Sequence, residues 1–280
     1  MQNLQELQSN YQKKQNRKWM ILLMFFFLFL VVLYFLFSEL FPRIAIKFVS
    51  TKQEIALGEQ VYQSMLREKK INTMATMQLQ SFADHLQLSS QYPIKVTVVD
   101  EEEVNAFALP GGHIIVHTAI LKKLRSSDAL VALLSHETIH INHRHSLQNI
   151  LSSMSTGFLL SFITRGGGGF TQLILGNANL LRELSYTRKL EKEADESGMK
   201  LMAKNAVSLK GMLQLMETLQ EVDEENSLPA ISFLSTHPLT EERIAGAKKF
   251  IDLHEVDTVG KEESLEAIWK VLKTSLNRTN

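Results

Sequence analysis

Five residues, His136-Glu137-Thr138-Ile139-His140, have the types and spacing that metal-assisted hydrolysis needs. They lie in Ser127–His145, where Leu130, Leu133, Leu134 and Ile141 recur at helical intervals. On a helix, residues i and i+4 share a face, so His136 and His140 can present their imidazoles to one point. Zinc accepts neutral imidazole nitrogen at about 2.0–2.1 Å, and a one-turn offset suits that geometry. Glu137 is rotated about 100° from His136, which excludes it as a ligand but lets it reach a water on the metal. That is the arrangement a zinc-dependent peptidase requires. The same five letters also arise by chance on an amphipathic helix, so the rest of the centre has to be found elsewhere in the chain.

A catalytic zinc takes three protein ligands and keeps one position open. The chain has no cysteine, so the third ligand must be His, Asp or Glu. A histidine ten residues after His136 would mark the metzincin pattern, but that position is Ser146. His143 shares the face of His136 and His140 but sits about 4.5 Å further along the axis than His140, and helical extrapolation turns His145 to the opposite side. Glu191 is the better candidate, with Asp195 one turn on along the same face and Glu193 pointing elsewhere. Asp195 could accept the second N–H of a ligating histidine and fix its tautomer. An isolated E-x-x-x-D also fits an acidic, solvated helix face.

The elements that must position these groups follow from the pattern along 280 residues. Formal net charge is zero, which offers nothing to a nucleic-acid partner. Residues 1–18 read as a polar, solvated tail. Trp19–Phe37 carries no charge and spans about 28 Å as a helix, close to a hydrocarbon core of about 30 Å. We assign residues 19–41 as an uncleaved anchor in the lipid bilayer, because Ser38–Pro42 offers no small-x-small cleavage site. Lys13, Lys14, Arg17 and Lys18 precede it, which favours a cytoplasmic N-terminus and a periplasmic or extracytoplasmic bulk.

Thr51-Lys52-Gln53-Glu54 has capping-box form and opens a helix, and Met74–Leu88 reads as another with Met77, Phe82 and Leu86 inward. Three short β-rich runs follow, Ile94–Val99, Val104–Leu109 and Ile114–Val116, the last two joined as a hairpin by Pro110-Gly111-Gly112. Leu147–Leu181, with one charge and four consecutive glycines, reads as a lid-like hairpin or a membrane-contacting element. Helices are expected over Arg182–Lys204, Val207–Glu225, from His237-Pro238 to Phe250, and Ser264–Leu276. The organisation is a polar tail (1–18), an anchor (19–41), a main domain (50–255) and a C-terminal helical extension (256–280). The fold class is α+β, mainly helical, with a small β-sheet beside the motif helix.

Asn105–Gly112, His136–His140 with Arg144-His145, Arg188–Asp195 and Thr236-His237-Pro238 together resemble four ordered signatures of one family. These are the HtpX-, BepA- and OMA-type gluzincin metallopeptidases of peptidase family M48, and the resemblance covers about residues 50–255. It implies a zincin-like domain, one zinc per chain held by His136, His140 and Glu191, Glu137 as general base, and Asp195 behind the ligands. His237 matches a histidine that lies close to the metal and can contact it or block its open position. Thr187 stands where the family often has Ser. The prenyl-protein and HtpX-like branches of the family carry several membrane spans, whereas one anchor here points to a quality-control peptidase with a soluble domain. Its expected substrates are unfolded or misassembled proteins, with membrane or envelope protein complexes as partners. Asn105, Ala106, Phe107 and Ala108, if they form an edge strand beside the site, would pair with an extended peptide backbone.

Overall fold

The structure, a computed structural model, describes residues 2–152, 185–225, 232–254 and 262–276. It is mostly helical around one small sheet. Helix α1 runs from Gln2 to Ala45, so the polar tail and the apolar run form one continuous helix. It contains the one helix among the described residues that is long and apolar enough to cross a membrane, and its apolar side chains are exposed.

α2 (Thr51–Leu66) starts one residue earlier in register than its sequence suggests. Ser50 is the cap, exchanging bonds with Gln53, because Glu54 is buried and accepts from Tyr92 Oη at 2.9 Å and Arg144 Nε at 2.7 Å. The α2 stripe Glu54, Gly58, Val61 and Met65 faces inward at helical spacing. In α3 (Thr73–Asp84), Phe82 is buried as expected, as is Leu86 just beyond it, but Met77 is 60% exposed. The inward face of α3 is filled instead by Ala75, Leu79, Phe82 and Ala83.

β1 (Lys95–Val99), β2 (Ala106–Ala108) and β3 (His113–His117) form a sheet of order β1-β3-β2, with β3 parallel to β1 and antiparallel to β2. The β2–β3 turn holds Gly111 at φ 80°, a conformation that costs an L side chain about 1 kcal/mol or more. Both faces of the sheet are covered, which explains apolar runs rather than strict alternation. Val96, Val98, Ile114 and Val116 join the main core, while Val99, Phe107 and Ile115 pack with Val61 and Met65 of α2.

α4 (Thr118–Lys123) leads into α5 (Ser127–Asn142), which carries the histidine motif. Ser126 caps α5 by accepting the Ala129 N–H at 3.1 Å. Residues 129–141 are buried all round, so α5 is the central rod of the core. α6 (Arg188–Lys204) and α7 (Lys210–Glu225) pack on it, followed by α8 (Ser232–Thr236) and α9 (Glu241–Leu253). α9 begins after Pro238 rather than at it, capped by Thr240 accepting from Arg243 N–H. α10 (Glu262–Leu276) returns to pack Leu265, Trp269 and Leu272 into the same core. Lys273 Nζ there donates to the carbonyls of Leu121, Lys122 and Leu124 at the end of α4. The expected lid-like hairpin lies outside the described residues from position 153 onward.

After α5 the chain passes through Arg144 at φ 60° and re-enters helix at 145–152. The Arg144 side chain reaches back to the base of α1, donating to Ile46 O at 3.0 Å and Val49 O at 2.6 Å while pairing with Glu54.

Candidate metal centre

α5 and α6 bring His136, His140 and Glu191 to one point. The two Nε2 atoms are 3.1 Å apart, and the Glu191 carboxylate lies 3.5 Å from His136 Nε2 and 3.4 Å from His140 Nε2. His237, delivered by the turn between α8 and α9, places Nδ1 3.3 Å from His136 Nε2 and 3.0 Å from Glu191 Oε1. All four residues are buried. Bonds of about 2.0–2.1 Å in a tetrahedron space the ligand atoms roughly 3.3–3.4 Å apart, so these separations are those of a donor set fitting around one zinc-sized cation.

α6 positions Glu191 because Thr187 caps the helix, accepting from Leu190 N–H, and the buried positions 191, 194, 195, 198 and 202 form a single stripe against α5. Thr in place of Ser therefore preserves the cap. One turn on, Asp195 Oδ1 is 3.0 Å from His136 Nδ1, which fixes that nitrogen as donor and makes Nε2 the atom turned toward the cluster. The Tyr186 ring stacks on His140 at 3.8 Å, and Phe233 stacks on His237 at 4.5 Å.

Glu137 sits beside the cluster with both carboxylate oxygens buried and, apart from the Ala108 backbone, without a hydrogen-bond partner among the described residues, its Oε1 3.7 Å from His237 Nε2. His237 Nε2 is likewise buried without a hydrogen-bond partner among the described residues, whereas Glu191 Oε2 pairs with Arg243 Nη1 at 2.6 Å. Such orphaned groups cost about 1–3 kcal/mol each unless something else satisfies them. Burial pushes the Glu137 carboxyl up from its ordinary range, the direction a proton acceptor working near neutrality needs.

Burial would also raise Glu191, but His237, His136 and His140 outweigh it and hold the carboxyl well below the carboxylate range. Burial would lower His136, yet its bonds to Asp195 and Glu191 win and lift it to about 10. Burial depresses His140 well below the imidazole value. The Asp195 and Glu191 carboxylates therefore favour positive charge at His136, where the ring nitrogens of the cluster converge.

Sequence reasoning missed Arg243. Its guanidinium is bidentate to Asp195, at 2.6 Å to Oδ2 and 2.8 Å to Oδ1. Nη1 also donates to Pro238 O at 2.9 Å, so one residue pins both carboxylates and the turn that carries His237. In the sequence, Arg243 is one position within the helix expected from His237-Pro238 to Phe250. His145 also departs from extrapolation: the turn at Arg144 folds it back, and its Nδ1 lies 3.1 Å from His140 Nδ1. His143 instead lies at the surface and bonds Glu193.

Of Asn105 to Ala108, the last three form β2, and Phe107 and Ala108 lie close to His237. β2 pairs with β3 on one side, and the Ala108 backbone faces the Glu137 carboxylate on the other. A narrow cleft runs beside it, lined by Phe107, Ala108, Leu109, Asn149, Tyr186 and His237.

Comparison with known proteins agrees with this geometry. The chain is 32% identical over 157 residues to the mitochondrial metalloendopeptidase OMA1 of Schizosaccharomyces pombe, covering 55% of this chain and 45% of that one. It is 26% identical over 213 residues to a putative beta-barrel assembly-enhancing protease of Vibrio cholerae, covering 70% and 44% respectively. The beta-barrel assembly-enhancing protease of Escherichia coli is 25% identical over 173 residues, 57% of this chain and 35% of that protein. The chain thus spans less than half the length of these curated relatives. A sequence model of Peptidase family M48 matches residues 69–251, which take in the sheet, the histidine motif, Glu191 and His237. The chain belongs to peptidase family M48, a family of zinc metallopeptidases.

Proposed function

We propose that this chain is a membrane-anchored zinc endopeptidase that hydrolyses peptide bonds in unfolded or misassembled proteins of a membrane or envelope. The observation that carries the reading is the convergence of His136, His140 and Glu191 beside the buried Glu137 carboxylate, which no other side chain among the described residues hydrogen-bonds. His136, His140 and Glu191 would hold the zinc, with Asp195 and Arg243 fixing the orientation of His136 and Glu191.

When bound, zinc supplies Lewis acidity toward a carbonyl and lowers the pKa of water. Glu137 takes the proton of the attacking water on its carboxylate and returns it to the leaving nitrogen. Its raised affinity for a proton, caused by burial, serves both transfers. The free side of β2 would hold the substrate extended, reading backbone more than side chains. The names of the Vibrio and Escherichia relatives support work on envelope proteins. The N-terminus would be cytoplasmic, and the catalytic domain periplasmic or extracytoplasmic.

The full chain purified in detergent should carry one zinc and hydrolyse casein. Glu137→Gln should keep the zinc and lose the hydrolysis. Retained hydrolysis in that variant would refute the reading.

A second reading is favoured by one observation. His237 Nδ1 occupies the corner that a substrate or water would need, and the whole cluster is buried. The geometry therefore fits a latent resting form, in which the same groove binds chains before it cleaves them.

A further inference from the structure

A second group of metal-ligating side chains lies just outside the centre. His143, His145 and Glu193 bring one ligand atom each within 4.8 Å of one another. His143 Nδ1 is 2.7 Å from Glu193 Oε1, and His145 Nε2 is 3.8 Å from Glu193 Oε2. The left-handed residue Arg144 is what turns two histidines only two apart in sequence toward the same neighbour. Glu193 belongs to α6 but leaves the stripe of Glu191 and Asp195, so it faces this group and not the inner centre. Unlike the inner cluster, this one is partly open to solvent: the side chains of His143 and Glu193 are 35% and 43% exposed, while His145 is buried. Two such solvent-facing side chains can close on a cation by rotamer change, without moving the backbone.

We propose that His143, His145 and Glu193 form a second, lower-affinity site for zinc that acts against the inner centre. Two imidazoles and a carboxylate are the donor types zinc accepts, with solvent completing the set.

The opposition comes from one contact. His140 and His145 face each other through their Nδ1 atoms at 3.1 Å. That separation accommodates one proton, donated by one ring and accepted by the other. With His140 Nε2 in the inner centre, its proton is on Nδ1 and His145 Nδ1 accepts it. A neutral His145 then keeps its own proton on Nε2, the atom that faces Glu193. A cation taking His145 Nε2 displaces that proton to Nδ1, and two N–H groups would point at each other. Filling the outer site therefore breaks the contact, which makes the outer site the weaker one and turns His140 from its alignment. The opposition rests on the inner centre proposed above; the outer ligand set stands on its own geometry.

The test uses zinc alone as probe, with the full chain in detergent. Zinc bound per chain is counted by equilibrium dialysis across a titration, and casein hydrolysis is followed in parallel. The wild type should bind a tight equivalent and then a weaker second one, with hydrolysis falling as the second fills. A His143→Ala/Glu193→Gln double variant should keep the tight equivalent and its hydrolysis and lose both the second equivalent and the inhibition. A wild type that stops at one tight equivalent, or a double variant that keeps the second, overturns the outer site and leaves the inner one standing. Binding of no zinc at all overturns both.

Discussion

Replacing Arg243 with Met removes a charge that the buried site cannot spare. The Arg243 side chain is 6% exposed and Asp195 and Glu191 are 4% and 0% exposed, so solvent does little to screen the two carboxylates left behind. Breaking a buried pair by deleting one side costs about 3–5 kcal/mol, because the other charge stays behind unpaired. Here two carboxylates are left, though His136, lifted to about 10, supplies partial compensation, so the lower end applies. About 3 kcal/mol corresponds to a fall of roughly 6–12 °C in unfolding temperature for a domain of this size.

The same change frees Asp195 to rotate away from His136 Nδ1, and loss of such an orienting partner lowers metal affinity about 10–100-fold. Arg243→Lys keeps the charge but cannot bridge two carboxylates from one planar group, so it should recover part of the stability and little of the affinity. Thermal unfolding of the full chain in detergent measures the first effect, and competition with a chromophoric zinc chelator the second. Unfolding within 1 °C of wild type together with unchanged zinc affinity would refute the reasoning.

Three further outcomes follow from other parts of the structure. Gly58→Ala would put a Cβ 1.8 Å from the Pro110 carbonyl oxygen, a backbone atom that cannot swing away. It should destabilise by about 3 kcal/mol, the upper end for overpacking, and an unfolding temperature equal to wild type would contradict the packing of α2 on the β2–β3 turn. His237→Ala should raise casein hydrolysis while leaving zinc bound, if the fourth corner is what keeps the enzyme at rest; lower hydrolysis would make His237 a working ligand instead. Zinc affinity should climb about tenfold per pH unit between pH 7 and 9. His136, raised to about 10, holds a proton throughout that window and must release it on binding. Calorimetry in two buffers of different ionisation heat should therefore show one proton leaving per zinc, and a release of none would count against the assignment.

Regular spacing made much of this legible. His136 and His140, and Glu191 and Asp195, could each be placed on one helix face because both pairs lie inside unbroken helices. The three strands and their turn were likewise visible, since branched residues and a Pro-Gly-Gly break mark them locally. Extrapolation failed where a helix ended: His145 was projected to the far side of α5, but the positive φ of Arg144 redirects it onto His140. It failed again where two patterns overlapped. Ser50-x-x-Gln53 and Thr51-x-x-Glu54 both have the form of a cap, and the choice was made by Arg144, a residue 90 positions away from Glu54 that buries it. Arg243 was hidden for the same reason, because its partners come from another helix and no local period announces a long-range ion pair.

Arg144 has one more consequence. By gripping Ile46 O and Val49 O it leaves no slack between the end of α1 and the start of α2. With α1 in a bilayer as proposed, the protease is a short-stalked one, bound to patrol a thin layer of water next to its own membrane. Its working concentration is then set by the area of that membrane, and cargo must be delivered to the surface because the blade cannot travel to the cargo.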